Sequence, residues 1–108
     1  MESPGAVTAL AALAHESRLA TFRLLVQTGP DGLAASKIAE SLQIPASSLS
    51  FHLKELAHAG LVTSRQSGRF VIYAAQYDTM NALLGFLTEN CCGVASCSPA
   101  IDALHTPC

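Results

Sequence analysis

The feature that most constrains the fold is a change of apolar period near the middle of the chain. From Ala46 to Ala59 the apolar side chains recur at helical intervals, which predicts one amphipathic α-helix. Its inward-facing residues are Leu49, Leu53 and Leu56. Directly afterwards, the runs LVTSRQ and RFVIYAA are rich in residues that favour β-strands. A chain that passes so quickly from helix to strands places a β-hairpin directly beside that helix.

The elements on either side of this junction complete a familiar order. The pair Ser67-Gly68 between the two strands predicts a tight hairpin turn. Upstream, a short helix opens at Ser36, and Pro45 ends it just before the longer helix, which we expect Ser47 or a neighbour to cap. A short helix, a tight turn, a longer helix and a hairpin make a winged helix-turn-helix. We therefore predict an α+β fold that is mostly helical.

Further helices flank this unit at both ends. Two are predicted before it, over residues 6–14 and 16–27, and a Gly- and Pro-containing stretch ends the second. A fifth helix begins at Asp78 and is expected to reach Asn90 or Cys92. We expect the helices at the two ends of the fold to be its dimerisation elements.

Length and composition limit the organisation and the location of the protein. The chain has 108 residues, enough for one domain, which we place at residues 1–93. Residues 94–108 are predicted to form an irregular C-terminal tail that carries part of an ion site. We find no apolar run of membrane-spanning length and no signal peptide, so we expect a cytoplasmic protein without a membrane partner.

Positive charge is concentrated in the middle of the chain although the formal net charge is −2. Between Leu33 and Tyr73 there are four basic and two acidic residues, whereas the remainder has two basic and six acidic residues. This distribution is compatible with a nucleic-acid partner for the middle segment, even though the net charge alone argues against one.

The longer helix carries a surface suited to double-stranded DNA, although an ordinary amphipathic surface helix is the alternative. Small hydroxyl groups permit close approach, Lys54 supplies charge, and Phe51 suits thymine methyl groups. Arg65 and Arg69 flank the hairpin turn, where they suit minor-groove phosphates or protect an edge strand. For His52, packing against a neighbouring helix and contact with DNA are both open. The candidate DNA-binding residues are Ser47, Ser48, Ser50, Phe51, His52, Lys54, Arg65 and Arg69.

Apolar side chains on the first and last helices predict a homodimer. A single helix-turn-helix offers few DNA contacts, so such proteins usually read two half-sites as a dimer. Pairing the terminal helices across a two-fold axis would bury these side chains, whereas the alternative is that both helices only cover the core. The candidate interface residues are Leu10, Leu13, Met80, Leu83, Leu84 and Leu87.

Three of the four cysteines fall in the stretch ENCCGVASCS, as Cys91, Cys92 and Cys97. A reducing cytoplasm disfavours a disulfide framework, and soft thiolates select soft ions. Three thiolates suit trivalent arsenic or antimony, which form three pyramidal bonds, whereas structural zinc needs a fourth ligand such as His105 or Cys108. A response to zinc, to cadmium or to thiol oxidation stays open. A thiol-based enzyme is disfavoured because we find no partner base for an activated cysteine.

Three stretches of the sequence resemble the ArsR/SmtB family of metal- and metalloid-sensing repressors. They are ALAHESRLATFRLLV, SSLSFHLKELAHAGLV and GRFVIYAA. The resemblance implies a winged-helix homodimer that represses its own operon at operator DNA and releases the DNA when an ion binds.

The resemblance also locates the sensing site. The arsenic site of the family's founding members is absent here, because ASKIAESLQI contains no cysteine, and its zinc site lacks a histidine near Asp78. The cluster Cys91, Cys92 and Cys97 resembles an arsenite-responsive branch whose ligands follow the last helix. The resemblance thus implies control of an arsenic-resistance operon, with trivalent arsenic (arsenite) as inducer and antimonite or a trivalent organoarsenical as alternatives.

Overall fold

The computed structural model describes residues 1–91, and the order of elements matches the winged helix-turn-helix prediction. The elements are α1 (Ser3–Leu13), α2 (Glu16–Thr28), β1 (Leu33–Ala34), α3 (Ala35–Leu42), α4 (Ala46–His58), β2 (Val62–Ser67), β3 (Phe70–Ala75) and α5 (Tyr77–Leu87). The predicted fold class is confirmed. The predicted boundary at residue 93 and the tail over 94–108 lie outside the described residues. Within residues 1–91, no helix combines the length and apolar character needed to cross a membrane.

The buried face of α4 is the one that the leucine period predicted. Leu49, Leu53 and Leu56 are at most 1% exposed, and they pack in one core with Leu25 of α2 and Ile38 of α3. These large side chains bring α2, α3 and α4 together around a single apolar centre. The opposite face of α4 is consequently held outwards.

Helix α1 is attached to this core through small side chains. Ala6, Ala9 and Ala12 are buried at intervals of three residues along α1. Alanine leaves room for close approach between helices, and the larger side chains Val7 and Leu10 of α1 remain exposed. The large apolar surface of α1 is therefore turned away from the core of its own chain.

The hairpin turn lies one residue later than the sequence analysis placed it. Ser67 pairs with Phe70, so the two turn residues are Gly68 and Arg69 rather than Ser67 and Gly68. Gly68 has a φ of 62° at the first central position, where type II′ hairpins favour glycine. Serine is common in turns, but its backbone here continues the strand ladder.

A third strand, β1, was absent from the sequence prediction. It has two residues and pairs antiparallel with β3, which makes β3 the central strand in the order β1-β3-β2. Two residues are too few to show an alternating pattern. Through β1, the loop after α2 is joined to the hairpin by backbone pairing with its strand β3.

The ends of α4 and α5 also differ from the prediction. Helix α4 begins at Ala46, so Ser47 is its second residue rather than its cap. Helix α5 begins at Tyr77 and ends at Leu87, short of Asn90 and Cys92. The Thr88 hydroxyl donates to the carbonyl oxygen of Leu84 at 2.8 Å, and Asn90 has a left-handed φ of 57°. A residue in the left-handed conformation does not continue a right-handed helix, so α5 ends before Cys91; the predicted cap at Gly93 lies outside the described residues.

Candidate nucleic-acid interface

The exposed face of α4 carries the hydroxyl groups, the cation and the aromatic ring that the sequence placed there. All five residues are exposed, three of them opposite the buried leucines and two, Ser48 and Ser50, to the sides, and Phe51 is 53% exposed. The exposed residues are Ser47, Ser48, Ser50, Phe51 and Lys54. This surface, which we call the α4 face, offers hydrogen-bonding groups, one positive charge and one apolar ring to a ligand.

His52 belongs to the packed side of α4 and not to the α4 face. Its side chain is buried, and its Nδ1 accepts a hydrogen bond from Nε of Arg18 on α2 at 3.2 Å. The His15 ring lies 4.7 Å away, centroid to centroid. Burial, and then the nearby His15 and Arg18, lower the pKa of His52 below its ordinary value. The structure therefore answers the question left open by the sequence, and His52 is removed from the candidate DNA contacts.

Arg18 is a residue that the sequence analysis missed. Its guanidinium carbon lies 5.3 Å from the centroid of the Phe51 ring, within the range of a cation–π contact. Arg18 and Phe51 are 33 positions apart in the sequence. Because no local pattern joins them, only the packing of α2 against α4 reveals the contact.

The two arginines of the hairpin occupy different settings. Arg69 is exposed in the turn itself, whereas Nη2 of Arg65 donates to the backbone carbonyl of Asp31 at 2.8 Å. Arg65 lies on β2, an edge strand, and also ties the hairpin to the loop before β1. Phe70 and Val71 next to the turn are exposed as well. The hairpin tip thus combines a cation that faces solvent with apolar side chains that the sequence analysis assigned only to strands.

Comparison with known proteins assigns the chain to a family. A model described as a helix-turn-helix domain matches residues 13–65, from the end of α1 into β2. The chain is 36% identical over 77 residues to YceK of Bacillus subtilis (strain 168), an uncharacterized HTH-type transcriptional regulator; the match covers 70% of this chain and 76% of that protein.

Solved structures share the same architecture. An ArsR-like transcriptional regulator from Rhodococcus sp. RHA1 superposes with a TM-score of 0.69 at 28% identity, covering 78% of this chain and 76% of the other. A possible transcriptional regulator for arsenical resistance superposes with a TM-score of 0.64 at 32% identity, covering 73% and 78%. The chain belongs to the ArsR-like family of winged helix-turn-helix transcriptional regulators. In winged helix-turn-helix regulators, the elements at these positions are called the recognition helix and the wing. We use these names for α4 and the β2–β3 hairpin of the ArsR-like regulator.

The surface predicted for dimerisation is partly exposed and partly internal. Leu10, Leu84 and Leu87 are 42%, 37% and 54% exposed, so their side chains are available to a second molecule. Leu13 and Met80 are half-buried against the core, and Leu83 is only 6% exposed. Leu83 of this ArsR-like regulator therefore packs mainly within its own chain.

A homodimer has been solved for a protein of similar structure. The winged helix-turn-helix DNA-binding domain of Mb0332 from Mycobacterium bovis is homodimeric and superposes with a TM-score of 0.65 at 27% identity, covering 74% of this chain and 72% of that one.

The predicted ion site lies at the limit of the described chain. Cys91 is half-buried, four positions beyond the last residue of α5, and its backbone N–H donates to the carbonyl oxygen of Thr88 at 3.0 Å. Cys92 and Cys97 lie outside the described residues, as do the alternative ligands His105 and Cys108. A site built from Cys91, Cys92 and Cys97 therefore remains a prediction from the sequence.

Proposed function

We propose that this ArsR-like regulator is a homodimeric repressor of an arsenic-resistance operon. It binds operator DNA through the α4 face and the wing, and it releases the DNA when trivalent arsenic or antimony binds Cys91, Cys92 and Cys97. The observation that carries the proposal is the α4 face, with three hydroxyls, a cation and a ring held outwards by three buried leucines.

The DNA-binding part of the proposal rests on the geometry of α4 and the wing. Serine and lysine side chains bond to bases and phosphates, and the exposed Arg69 in the turn of the wing suits the backbone of the adjacent groove. Two copies related by a two-fold axis would present their recognition helices to half-sites about 34 Å apart. The exposed Leu10, Leu84 and Leu87 supply the apolar surface for that pairing.

The metalloid part rests on the chemistry of the donor set. Three thiols in a span of seven residues match the three pyramidal bonds of trivalent arsenic or antimony. The similarity to a possible regulator for arsenical resistance supports the same class of signal. An organoarsenical would need only two of the three thiols. Because α5 ends at Leu87, Cys91 lies beyond the last α-helical residue.

Coupling between the two sites would run through α5, which contacts α1. Both helices contribute to the surface proposed for dimerisation, so a change beside α5 alters the separation of the two recognition helices. A coupling free energy of about 1–3 kcal/mol would weaken DNA binding roughly 5–150-fold.

The test is a titration of a complex with labelled DNA. A fluorescent fragment from upstream of the gene is bound by reduced protein, and anisotropy is followed as arsenite, zinc or a mild oxidant is added. Cys91→Ser, Cys92→Ser and Cys97→Ser are measured in parallel, with Cys108→Ser as the matched control. We expect arsenite to release the DNA from the wild type and from Cys108→Ser, and to fail with the other three variants.

The other outcomes refute separate parts of the proposal. Release by zinc alone, or by the oxidant alone, would replace the metalloid signal with a soft-metal or thiol-oxidation signal. Release by arsenite that persists in all four variants would remove the cysteine site. Absence of DNA binding by the reduced wild type would refute the repressor itself.

A further inference from the structure

Arg18 makes two contacts with the recognition helix at once. Arg18 lies in the first turn of α2, and its Nε donates a hydrogen bond to Nδ1 of His52 at 3.2 Å. Its guanidinium carbon also lies 5.3 Å from the centre of the Phe51 ring. Phe51 and His52 are neighbours on α4, one exposed and one buried. A single side chain therefore joins the packed side of the recognition helix to the α4 face.

The buried end of this contact has a defined protonation state. To accept from Arg18, Nδ1 of His52 must carry no proton, and arginine is always a donor. Burial, and then the nearby His15 and Arg18, lower the pKa of His52, which favours its neutral form. The neighbouring His15 ring is itself held in place, because its Nδ1 accepts from the backbone N–H of Ser17 at 3.2 Å. His52 thus contacts a ring that is itself hydrogen-bonded. His52 in turn accepts the hydrogen bond from Arg18.

We propose that Arg18 is a positioning residue for DNA recognition, which holds the Phe51 ring of the α4 face in one orientation. The inference rests on the proposed binding of DNA by this face. An aromatic ring that is 53% exposed on a helix has several rotamers open to it. The guanidinium covers one side of the ring and leaves the rest for apolar contact with bases. Arg18 therefore acts on sequence preference through Phe51, without itself contacting a phosphate.

The alternative role of Arg18 is a direct ionic contact, and salt dependence separates the two. A side chain that neutralises a phosphate weakens binding to every DNA sequence when it is removed, and the slope of log K against log salt falls by about 1. A side chain that only orients an apolar ring changes the preference for the operator and leaves the slope unchanged.

The experiment is a double-substitution cycle with Arg18→Gln and Phe51→Ala. Full-length wild type, both single variants and the double variant are titrated onto an operator fragment and onto a scrambled fragment of equal length, each over a range of salt concentrations. Arg23→Gln is the matched control, because Arg23 is an exposed arginine of the same helix. Circular dichroism and urea denaturation establish that each variant is folded.

We expect Arg18→Gln to weaken operator binding about two- to five-fold, the change that corresponds to an exposed cation–π contact. Binding to scrambled DNA and the salt slope should stay at the wild-type values. In the Phe51→Ala background, Arg18→Gln should have no further effect. If Arg18→Gln does not fold, Arg18→Met replaces it with the same expectation, since methionine keeps a long unbranched side chain but lacks the cation.

Other outcomes overturn the inference in distinguishable ways. Equal loss of affinity for both fragments with a reduced salt slope would make Arg18 a phosphate contact. Loss of operator affinity that is the same with and without the Phe51 ring would show that Arg18 acts independently of it. If the wild type does not prefer the operator, the proposed function fails, and this inference fails with it.

Discussion

A substitution at Gly32 tests whether the contact between the loop after α2 and the wing is as close as the structure shows. Gly32 has a φ of 77°, in the left-handed region that favours glycine. A β-carbon at this position would lie 2.5 Å from the carbonyl oxygen of Tyr73 and 2.9 Å from Cγ2 of Ile72. The Tyr73 oxygen belongs to the central strand β3, so it cannot rotate away as a side chain would. Gly32→Ala must therefore push the loop and the sheet apart.

The expected loss of stability has two parts. A left-handed conformation of a residue with a β-carbon costs about 1–2 kcal/mol. Separating the loop from β3 also loosens the β1 pairing and the bond from Arg65 to Asp31, and about two lost hydrogen bonds cost roughly 2 kcal/mol. We expect Gly32→Ala to lower the free energy of unfolding by about 3–4 kcal/mol, a large fraction of the ~5–15 kcal/mol typical of a small domain.

Gly68→Ala is the matched control for the backbone part of this effect. Gly68 also has a positive φ, 62°, but within the described part of the chain a β-carbon there meets no atom within 4 Å. We expect this variant to lose only the conformational part, about 1–2 kcal/mol. The difference of roughly 2 kcal/mol between the two variants measures the close approach at Gly32.

The assay is urea denaturation followed by far-ultraviolet circular dichroism. All proteins are compared at one concentration, because association would make the midpoint concentration-dependent. With a slope of about 1–2 kcal/mol per molar urea, the two variants should differ in midpoint by roughly 1–2 M. Equal midpoints for Gly32→Ala and Gly68→Ala would refute the close approach between the loop at Gly32 and strand β3.

Three further predictions concern the core, the buried histidine and the recognition helix. Leu53→Ala should lower the free energy of unfolding by about 2–5 kcal/mol, because Leu53 is 1% exposed. Leu19→Ala on α2 should lower it much less, because Leu19 is 44% exposed. Equal losses of the two variants in urea denaturation would contradict the assignment of the core. Because burial lowers the pKa of His52, the unfolded chain binds a proton more readily, so this contribution to stability is complete above about pH 6.5 and is lost as pH falls through the lowered pKa of the folded state. Urea denaturation at several pH values checks this, and an unchanged pH dependence in His52→Gln would exclude His52 as its source. Lys54→Gln should weaken binding to all DNA sequences and lower the salt slope by about 1, with Lys37→Gln on α3 as the comparison in an anisotropy titration; a slope unchanged by Lys54→Gln would remove the phosphate contact.

Most of the recognition helix was predictable because its pattern is local. Leucines at positions 49, 53 and 56 determine which face of α4 is buried, and the opposite face follows from the helical period. The hairpin was predictable for the same reason, since β-rich runs around a glycine-containing turn favour it. Its register was misplaced by one residue, because Ser67 suits both a turn and a strand and the pairing with Phe70 decides between them.

The elements that the sequence did not reveal depend on partners far along the chain. Strand β1 exists because Leu33 and Ala34 pair with Tyr73 and Ile72, and two residues carry no period of their own. The end of α5 was predicted too late because its apolar stripe gave no sign of the left-handed conformation of Asn90.

The sequence by itself determined the order of the five helices and the hairpin, the inward face of α4 and the presence of a cysteine cluster near the end of the chain, since each depends on neighbouring residues. The tertiary structure decided which polar side chains of α4 remain available. His52 lies one position from the exposed Phe51, yet it is buried and contacts Arg18 and His15 of another segment. Burial and hydrogen bonding between segments 34 positions apart are set by how helices pack, and local periodicity carries no information about that packing.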